Sequence, residues 1–513
     1  GGADFLSGQA GSDILVGGEG QDTLDGGTQN DTLIGGGGDD SLQGGDHADI
    51  LSGGWGQDTL DGGADVDTVT YLLDEDERGY SGVSVSLATG YTTIFAGGVT
   101  YVNADRLLNI ENAVGTNGAD TIIGSDQANV LGGADGADSM DGGKGNDILV
   151  GGRGNDSLQG GENDDILSGG CGRDTIDGGA DIDTVTYLQD EDERVYSGLS
   201  VNLETGYVTI FAGGVTYANE DRLLNIENVV ATNGADRIIG SDLVNLLVGA
   251  DGADSIDGGK GNDILIGGRG NDSLQGGEND DILSGGLGKD TIEGGSGLDT
   301  VNYLIDDDEK VYSAVSVNLT TGYATIFAGG VTYVNEDRLL NIENAVGTNG
   351  TDTIIGSAQA NSLAGADGND SLDGGTGDDI LSGGTGNDTL VGGADDDQLL
   401  GGAGQDELRG DGGIDTAVLF DQDTAWLVDL VAGTTSHRNQ GQTGWTLEDR
   451  LYDIENVITG NRDDQVRGND LTNQISTEDG NDLVHAGKGN DILIGGRGND
   501  SLQGGENDDI LSG

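Results

Sequence analysis

The sequence predicts an all-β protein, a parallel β-roll (β-solenoid) laid down in blocks with antiparallel β-hairpin flaps between them. Three observations predict it. Glycine and aspartate recur with a strict period of nine, every period carries one aliphatic residue at a fixed place, and a different pattern interrupts the run at intervals of 116 residues.

Composition alone points elsewhere. The 513 residues include 102 Gly, no Pro and one Cys, and 94 acidic against 20 basic side chains give a net charge of −74. A chain this acidic and this poor in large apolar residues ordinarily stays disordered, because it cannot bury enough surface to offset ordering entropy. The periodicity opposes that reading. The acidity also argues against nucleic acid or an anionic membrane surface as a partner. No apolar run is long enough to span a bilayer, so no membrane insertion is expected, and no signal peptide is seen. The chain begins and ends inside a repeat, with an array that reads as continuing, and is expected to be a segment of a longer protein. Cys171 stands alone in a glycine turn and reads as a chance surface thiol.

The short period comes first. Aspartates fall at Asp4, Asp13, Asp22, Asp31, Asp40, Asp49, Asp58 and Asp67, in units such as GGEGQDTLD and GGTQNDTLI. Two places after each aspartate stands an aliphatic residue: Leu15, Leu24, Leu33, Leu42, Leu51, Leu60 and Val69. The register returns at Asp120–Asp183, Asp236–Asp299, Asp352–Asp415 and Asp464–Asp509, with Asn129, Asn245, Asn361 and Asn473 in place of one aspartate per block. The long period is carried by DTVTY at Asp67 and Asp183, DTVNY at Asp299 and DTAVLF at Asp415, and by NIEN at Asn109, Asn225 and Asn341 with DIEN at Asp453. Nonapeptide blocks are therefore placed at 1–66, 118–182, 234–298, 350–414 and 462–513, and inserts at 67–117, 183–233, 299–349 and 415–461, the last divergent.

In the unit GGxGxD-x-U-x, six residues with three glycines make a tight turn and the last three a short strand with U pointing inward. Such a strand cannot form a hairpin core, but it can stack on its copy in the next coil. Two units per coil give 18 residues and a flattened roll with a thin core. The turns then stack aspartates at the strand spacing of ~4.8 Å, and unneutralised they would repel. Carboxylates and turn carbonyls are the oxygen ligands that calcium prefers, whereas magnesium demands a regular octahedron and zinc wants His and Cys. Calcium sites are expected between aspartates eighteen apart, such as Asp138 with Asp156, Asp147 with Asp165 and Asp156 with Asp174. The candidate ligands are Asp13, Asp22, Asp31, Asp40, Asp49 and Asp58 in the first block, and Asp138, Asp147, Asp156, Asp165 and Asp174 in the second. They continue as Asp254, Asp263, Asp272, Asp281 and Asp290, then Asp370, Asp379, Asp388, Asp397 and Asp406, and finally Asp482, Asp491, Asp500 and Asp509. If about 25 sites fill, they add about +50 to the −74, so binding energy would serve as folding energy.

These units resemble the repeat-in-toxin (RTX) nonapeptide, the haemolysin-type calcium-binding repeat. The resemblance implies a right-handed parallel β-roll, many structural Ca2+ ions, type I export of the Gram-negative kind, and folding triggered by extracellular calcium. GGENDD, GGADID, GGDHAD and GGADDD lack the fourth glycine, so their turns are expected to bind differently or hold partial sites. The four asparagines suggest weaker or missing ions, and TGNRDDQVR and GNDLTNQIS are the poorest matches.

Each of the first three inserts carries an acidic run, at Asp74–Glu77, Asp190–Glu193 and Asp306–Glu309, which reads as a solvated loop or alternatively as an extra calcium site or a contact between modules. Alternation over Val83–Leu87 and Thr92–Phe95 reads as a hairpin, and Gly97-Gly98 as a second turn. The expectation is a flap hung on the roll with its apolar face against it, and Tyr71, Tyr91, Phe95 and Tyr101 as the flap's own core rather than a sugar platform. Trp426 and Trp445 occur only in the fourth insert.

Catalysis is not expected: His47, His437 and His485 are scattered, and no metalloprotease, nucleophile-elbow or phosphate-loop motif occurs. The leading reading is a calcium-stiffened structural or adhesive rod at the cell surface or in an extracellular matrix, where stacked repeats set length. The alternative is an accessory region of a secreted enzyme or toxin, aiding export, folding and polysaccharide binding. Calcium is the expected partner, with polysaccharide or neighbouring copies of the same chain as further candidates. Ice binding is a weak third reading, because ladder positions mix Thr, Ser, Ile, Asp and Gln.

Overall fold

Glycine at the first two positions of each unit lets the strand run on further than its side chains suggest. In the computed structural model most nonapeptide strands are six residues long, as in Thr23–Thr28 (TLDGGT) and Ile148–Arg153 (ILVGGR), with three residues left for the turn, while some, such as Ile264–Ile266 and Ile492–Ile494, keep the three-residue length. In the longer strands both glycines belong to the strand, where the sequence pattern predicts a six-residue turn. The reason is steric: the second glycine has positive φ, 107° at Gly27, and a Cβ on the first, Gly26, would lie 2.6 Å from the Gly44 carbonyl of the next coil.

The structure describes the chain except for residues 74–79, 189–195, 218–219, 306–311, 329–330, 420–423 and 440–443. The acidic runs Asp74–Glu77, Asp190–Glu193 and Asp306–Glu309 lie outside the described residues. Among those described the fold is all-β, with no helix. The chain falls into two units, Gly1–Gly258 and Gly259–Gly513.

In the first unit, Phe5–Ala10, Thr23–Thr28, Ser41–Asp46 and Thr59–Ala64 pair in parallel in one sheet, each shifted by 18 residues. Ile14–Glu19, Thr32–Gly37, Ile50–Trp55 and Thr68–Thr70 do the same in a second sheet. Successive strands thus alternate between two facing sheets, which defines a parallel β-solenoid. One aliphatic side chain per strand points inward and stacks on its copy: Leu6, Leu24, Leu42 and Leu60 in one sheet, Leu15, Leu33, Leu51 and Val69 in the other. From Leu24 onward these side chains are at most 1% exposed. The second unit repeats the plan, for instance through Ser371–Thr376, Thr389–Ala394 and Glu407–Gly412.

The inserts are antiparallel, as expected, but they are not hung on the roll. Tyr80–Ser86 pairs antiparallel with Tyr91–Ala96, which pairs antiparallel with Val99–Leu108. The outer strands then join the solenoid's own sheet in parallel, Arg106–Leu108 on Thr59–Asp61 and Ser84–Ser86 on Thr121–Ile123. Meanwhile the other sheet continues directly, from Thr68–Thr70 to Asn112–Val114 to Leu131–Gly132. Val83, Val85 and Ile94, all at most 2% exposed, fill the core where a nonapeptide leucine would stand. The other three inserts are joined in the same way.

That placement corrects the expected flap core. Tyr71 and its copies Tyr187 and Tyr303 are buried, at 2% exposure, but Tyr91, Tyr207 and Tyr323 are 43–46% exposed and Tyr101 is equally open. Alternation decides it: Thr92 and Ile94 point inward, so Tyr91, Thr93 and Phe95 take the outer face. Among the described residues no helix is long and apolar enough to cross a membrane.

Candidate functional site

The turns that link the two sheets stack along the two edges of the solenoid, and each edge carries a column of aspartates. One edge holds Asp13, Asp31 and Asp49, then Asp147 and Asp165, and in the second unit Asp263, Asp281, Asp379, Asp397, Asp491 and Asp509. The other holds Asp22, Asp40, Asp58, Asp138, Asp156, Asp174 and Asp254, and in the second unit Asp272, Asp290, Asp370, Asp388, Asp406, Asp482 and Asp500. All are buried except Asp13, Asp500 and Asp509, which are half-exposed.

Aspartates eighteen apart do meet, through an asymmetric link. The backbone N–H of one aspartate donates to Oδ1 of the aspartate one coil later: Asp22 to Asp40 at 2.8 Å, Asp31 to Asp49 at 2.7 Å, Asp147 to Asp165 at 2.7 Å, Asp370 to Asp388 at 2.8 Å. The carbonyl of the same aspartate accepts the ladder bond from the next coil, as Thr32 N–H to Asp13 O at 2.9 Å. The backbone and Oδ1 are therefore satisfied without any ion.

Oδ2 is not. In Asp22, Asp31, Asp40, Asp49, Asp58, Asp138, Asp147, Asp156 and Asp165, and in their counterparts Asp281, Asp370, Asp379, Asp388 and Asp397, it is buried with no hydrogen-bond partner. Native proteins rarely leave such a group unpaired, because each costs about 1–3 kcal/mol, more when charged. All of these orphan oxygens but those of Asp58 and Asp397 look into the same small cradle. A Cβ on Gly17 would lie 2.7 Å from both Asp22 Oδ2 and the Gly35 carbonyl, and one on Gly151 would lie 2.6 Å from Asp156 Oδ2 and 2.5 Å from the Gly169 carbonyl. The absent side chain of the first glycine keeps open a space faced by a carboxylate from one coil and a carbonyl from the next. Among the described residues no three His, Cys, Asp or Glu side chains gather on one point, so the donors are one carboxylate oxygen and backbone carbonyls. All are hard oxygen donors, a set that fits calcium and gives zinc or copper nothing soft to bind.

Electrostatics agree. Burial raises the carboxyls of Asp138 and Asp370 to about 7 and those of Asp147, Asp165 and Asp379 to about 6, against the hydrogen bond each accepts from the preceding coil. Without a cation the stacked carboxylates resist ionisation; a bound divalent ion reverses that.

Geometry bears on two expectations. Turns lacking the fourth glycine keep the same shape: His47, Asp65, Asn163, Asp181 and Asp395 take that place at φ of 78–84°. Asp49 and Asp165, which come after two of them, carry the same orphan Oδ2 as the turns with the fourth glycine. The asparagines differ in kind. Asn129 Nδ2 donates to the Glu111 carbonyl at 2.6 Å while its Oδ1 accepts the Ser125 N–H at 2.6 Å, and Asn245, Asn361 and Asn473 repeat both bonds. The uncharged amide closes the joint that a carboxylate leaves open.

The inserts supply further acids that carry no nonapeptide signature. Asp105 Oδ1 accepts the Asp58 N–H at 3.2 Å, and its Oδ2 accepts Tyr71 Oη–H at 2.9 Å and Thr92 Oγ1–H at 3.1 Å. Burial first, and then Asp105, push Asp58 up to about 8, and Asp337 acts alike on Asp290. Asp120 differs again, since Thr116 N–H and Oγ1–H and the Val83 N–H occupy both of its oxygens. In the fourth insert Trp426 is buried and the Arg438 guanidinium lies 4.5 Å over the Trp445 ring.

A two-sheet parallel solenoid with a buried, oxygen-lined cradle at nearly every joint defines a calcium-binding repeat protein. The RTX calcium-binding nonapeptide repeat family model matches residues 1–33 and 34–69, 114–149 and 150–185, overlapping segments from 230 to 309, then 346–381, 382–417, 458–493 and 485–513. These segments cover well over half of the chain, and the chain belongs to that family. Among curated proteins, none matches it. The family's repeats bind calcium and are typical of secreted proteins.

Proposed function

We propose that this chain is a calcium-folded structural region of an extracellular or cell-surface protein, working as a stiff spacer or adhesive element rather than as an enzyme. The observation that carries the reading is the repeated buried Oδ2 and glycine carbonyl that close on the first glycine of the unit, too near for a Cβ to stand between them. With metal excluded, the columns of stacked carboxylates disfavour the coil-on-coil stack; neutralised, the same columns tie each coil to the next. Low cytosolic calcium would leave the chain extended for type I export, and millimolar calcium outside would fold it. Modules of near-identical sequence at 116-residue intervals suit a spacer, whose length grows by stacking without new chemistry. The exposed Tyr91, Tyr207 and Tyr323 recur at the same interval and offer the aromatic faces that a polysaccharide would stack on. The absence of catalysis is part of the proposal and rests on the scattered histidines and the lack of any nucleophile motif. Small-angle scattering of the whole chain tests it: millimolar calcium should replace the scattering of an expanded coil with that of a folded particle. Identical scattering in calcium and in chelator would count against it.

A further inference from the structure

Each nonapeptide run that leads into an insert ends on an aspartate with no following nonapeptide: Asp67, Asp183, Asp299 and Asp415. The chain leaves into an insert there, so no glycine carbonyl of a next repeat is available to face Oδ2. The insert brings back one of its own. Asn109, Asn225 and Asn341 (NIEN) and Asp453 (DIEN) take a left-handed backbone, with φ of 48–50°. That geometry turns each carbonyl toward the first glycine of the last turn. A Cβ on Gly62 would meet both the Asn109 carbonyl and Asp67 Oδ2. The same pairing recurs at Gly178 with Asn225 and Asp183, at Gly294 with Asn341 and Asp299, and at Gly410 with Asp453 and Asp415. It is the arrangement seen at Gly17, with the insert's carbonyl in the place of Gly35.

The four aspartates are wholly buried, at 0% exposure, and their Oδ2 atoms have no hydrogen-bond partner. Their Oδ1 atoms are occupied by the N–H groups of Asp49, Asp165, Asp281 and Asp397, at 2.8–2.9 Å. A second carboxylate stands at each corner, because Glu111, Glu227, Glu343 and Glu455 accept the N–H of the same aspartates at 2.9–3.1 Å. An orphaned oxygen is not the rule where an insert ends: Asp120, Asp236 and Asp352, after the first three inserts, have both oxygens hydrogen-bonded, and Asp464, after the divergent fourth, keeps an unpartnered Oδ2.

We propose that each insert corner completes a further calcium site, in which Asp67, Asp183, Asp299 and Asp415 give the carboxylate and Asn109, Asn225, Asn341 and Asp453 give a backbone carbonyl. The inference rests on the calcium reading of the nonapeptides and extends it, since it makes the insert a ligand donor and its docking calcium-dependent. Calcium takes six to eight oxygens, so these two are part of a set. The proposed site takes the corner residue's carbonyl, not its side chain: the Asn109 and Asn225 amides donate instead to Asp61 and Asp177 Oδ1 at 2.7 Å, and Asn and Asp are the residues that tolerate the left-handed backbone.

The test is calcium stoichiometry of the whole chain by equilibrium dialysis. The variant Asp67→Asn/Asp183→Asn/Asp299→Asn/Asp415→Asn should bind about four fewer ions than the parent. Asp120→Asn/Asp236→Asn/Asp352→Asn should lose none. If the first variant keeps the parent's count while Asp31→Asn/Asp40→Asn lowers it, the corner sites are refuted and the nonapeptide sites stand. If the parent itself binds no calcium, the broader reading fails instead. Should the fourfold variant lose its β signal in saturating calcium, the unmutated protein decides: crystals grown with lanthanum should show anomalous peaks beside Gly62, Gly178, Gly294 and Gly410. Peaks beside Gly17 and Gly151 without these would overturn the proposal.

Discussion

Replacing Asn129 by aspartate restores the repeat's consensus, yet the structure predicts that it weakens the protein. Asn129 is 2% exposed, and its Nδ2 donates to the Glu111 carbonyl at 2.6 Å. In Asn129→Asp that donor becomes an oxygen pressed against a carbonyl oxygen. One hydrogen bond worth about 1 kcal/mol is lost, and a buried acceptor left facing another costs about 1–3 kcal/mol more. The sum is about 2–4 kcal/mol, and the new carboxylate would escape part of it by taking up a proton at neutral pH. The regular sites differ in what lies one coil back. Asp147 meets the N–H of Asn129 at 2.6 Å, whereas Asn129 meets a carbonyl, because the Glu111 N–H is already given to the Asp67 carbonyl at 3.1 Å. Denaturant unfolding in millimolar calcium, combined with calcium stoichiometry, measures both effects. A lower midpoint with no added ion is expected. A variant that binds one more calcium and unfolds later would refute the reasoning.

The core and the aspartate columns each carry a further prediction. Leu149 is 0% exposed between Leu131 and Leu167, the only inward side chains of their strands' first halves. Leu149→Ala should therefore cost about 2–5 kcal/mol by calcium-saturated thermal unfolding. Ile148→Ala, at a 37% exposed position, should cost under about 0.5 kcal/mol in the same assay. In chelator, pH should act opposite to the usual acid unfolding. Folded-state values of about 6–7 for Asp147, Asp165, Asp138 and Asp370 lie above the ordinary 3.8, so the proton-linked stability is fully present below about 4 and is lost as pH rises through about 6–7. Circular dichroism of the metal-free chain should therefore gain β signal on acidification, while calcium affinity, which needs the ionised form, falls over the same range. A metal-free chain that loses β signal on acidification would contradict the assigned burial.

Much of this fold is legible because a solenoid is nearly one-dimensional. One aliphatic residue per nine, never out of phase, announces that each strand stacks on its own copy, and Leu24 does lie on Leu42 and Leu42 on Leu60. The aspartate columns are legible for the same reason. What the sequence hides is non-local. Tyr80–Ser86 reads as part of a hairpin, but nothing in it says that its other edge belongs to Thr121–Ile123. Asp67 has the right register but no following nonapeptide to mark it as a ligand, since its neighbouring layer comes from Asn109 and Glu111, which have no nonapeptide pattern. The glycine pairs mislead in a different way. Conformational freedom favours Gly-Gly in turns, and here close approach between coils, as at Gly26, draws both into the strand.

The central claim is that calcium binding and folding are one equilibrium. Its most direct test is a calcium titration of the whole chain monitored by far-ultraviolet circular dichroism. A cooperative gain of β signal by millimolar calcium, fully reversed by chelator, is the predicted result. A spectrum unchanged between chelator and millimolar calcium would contradict it.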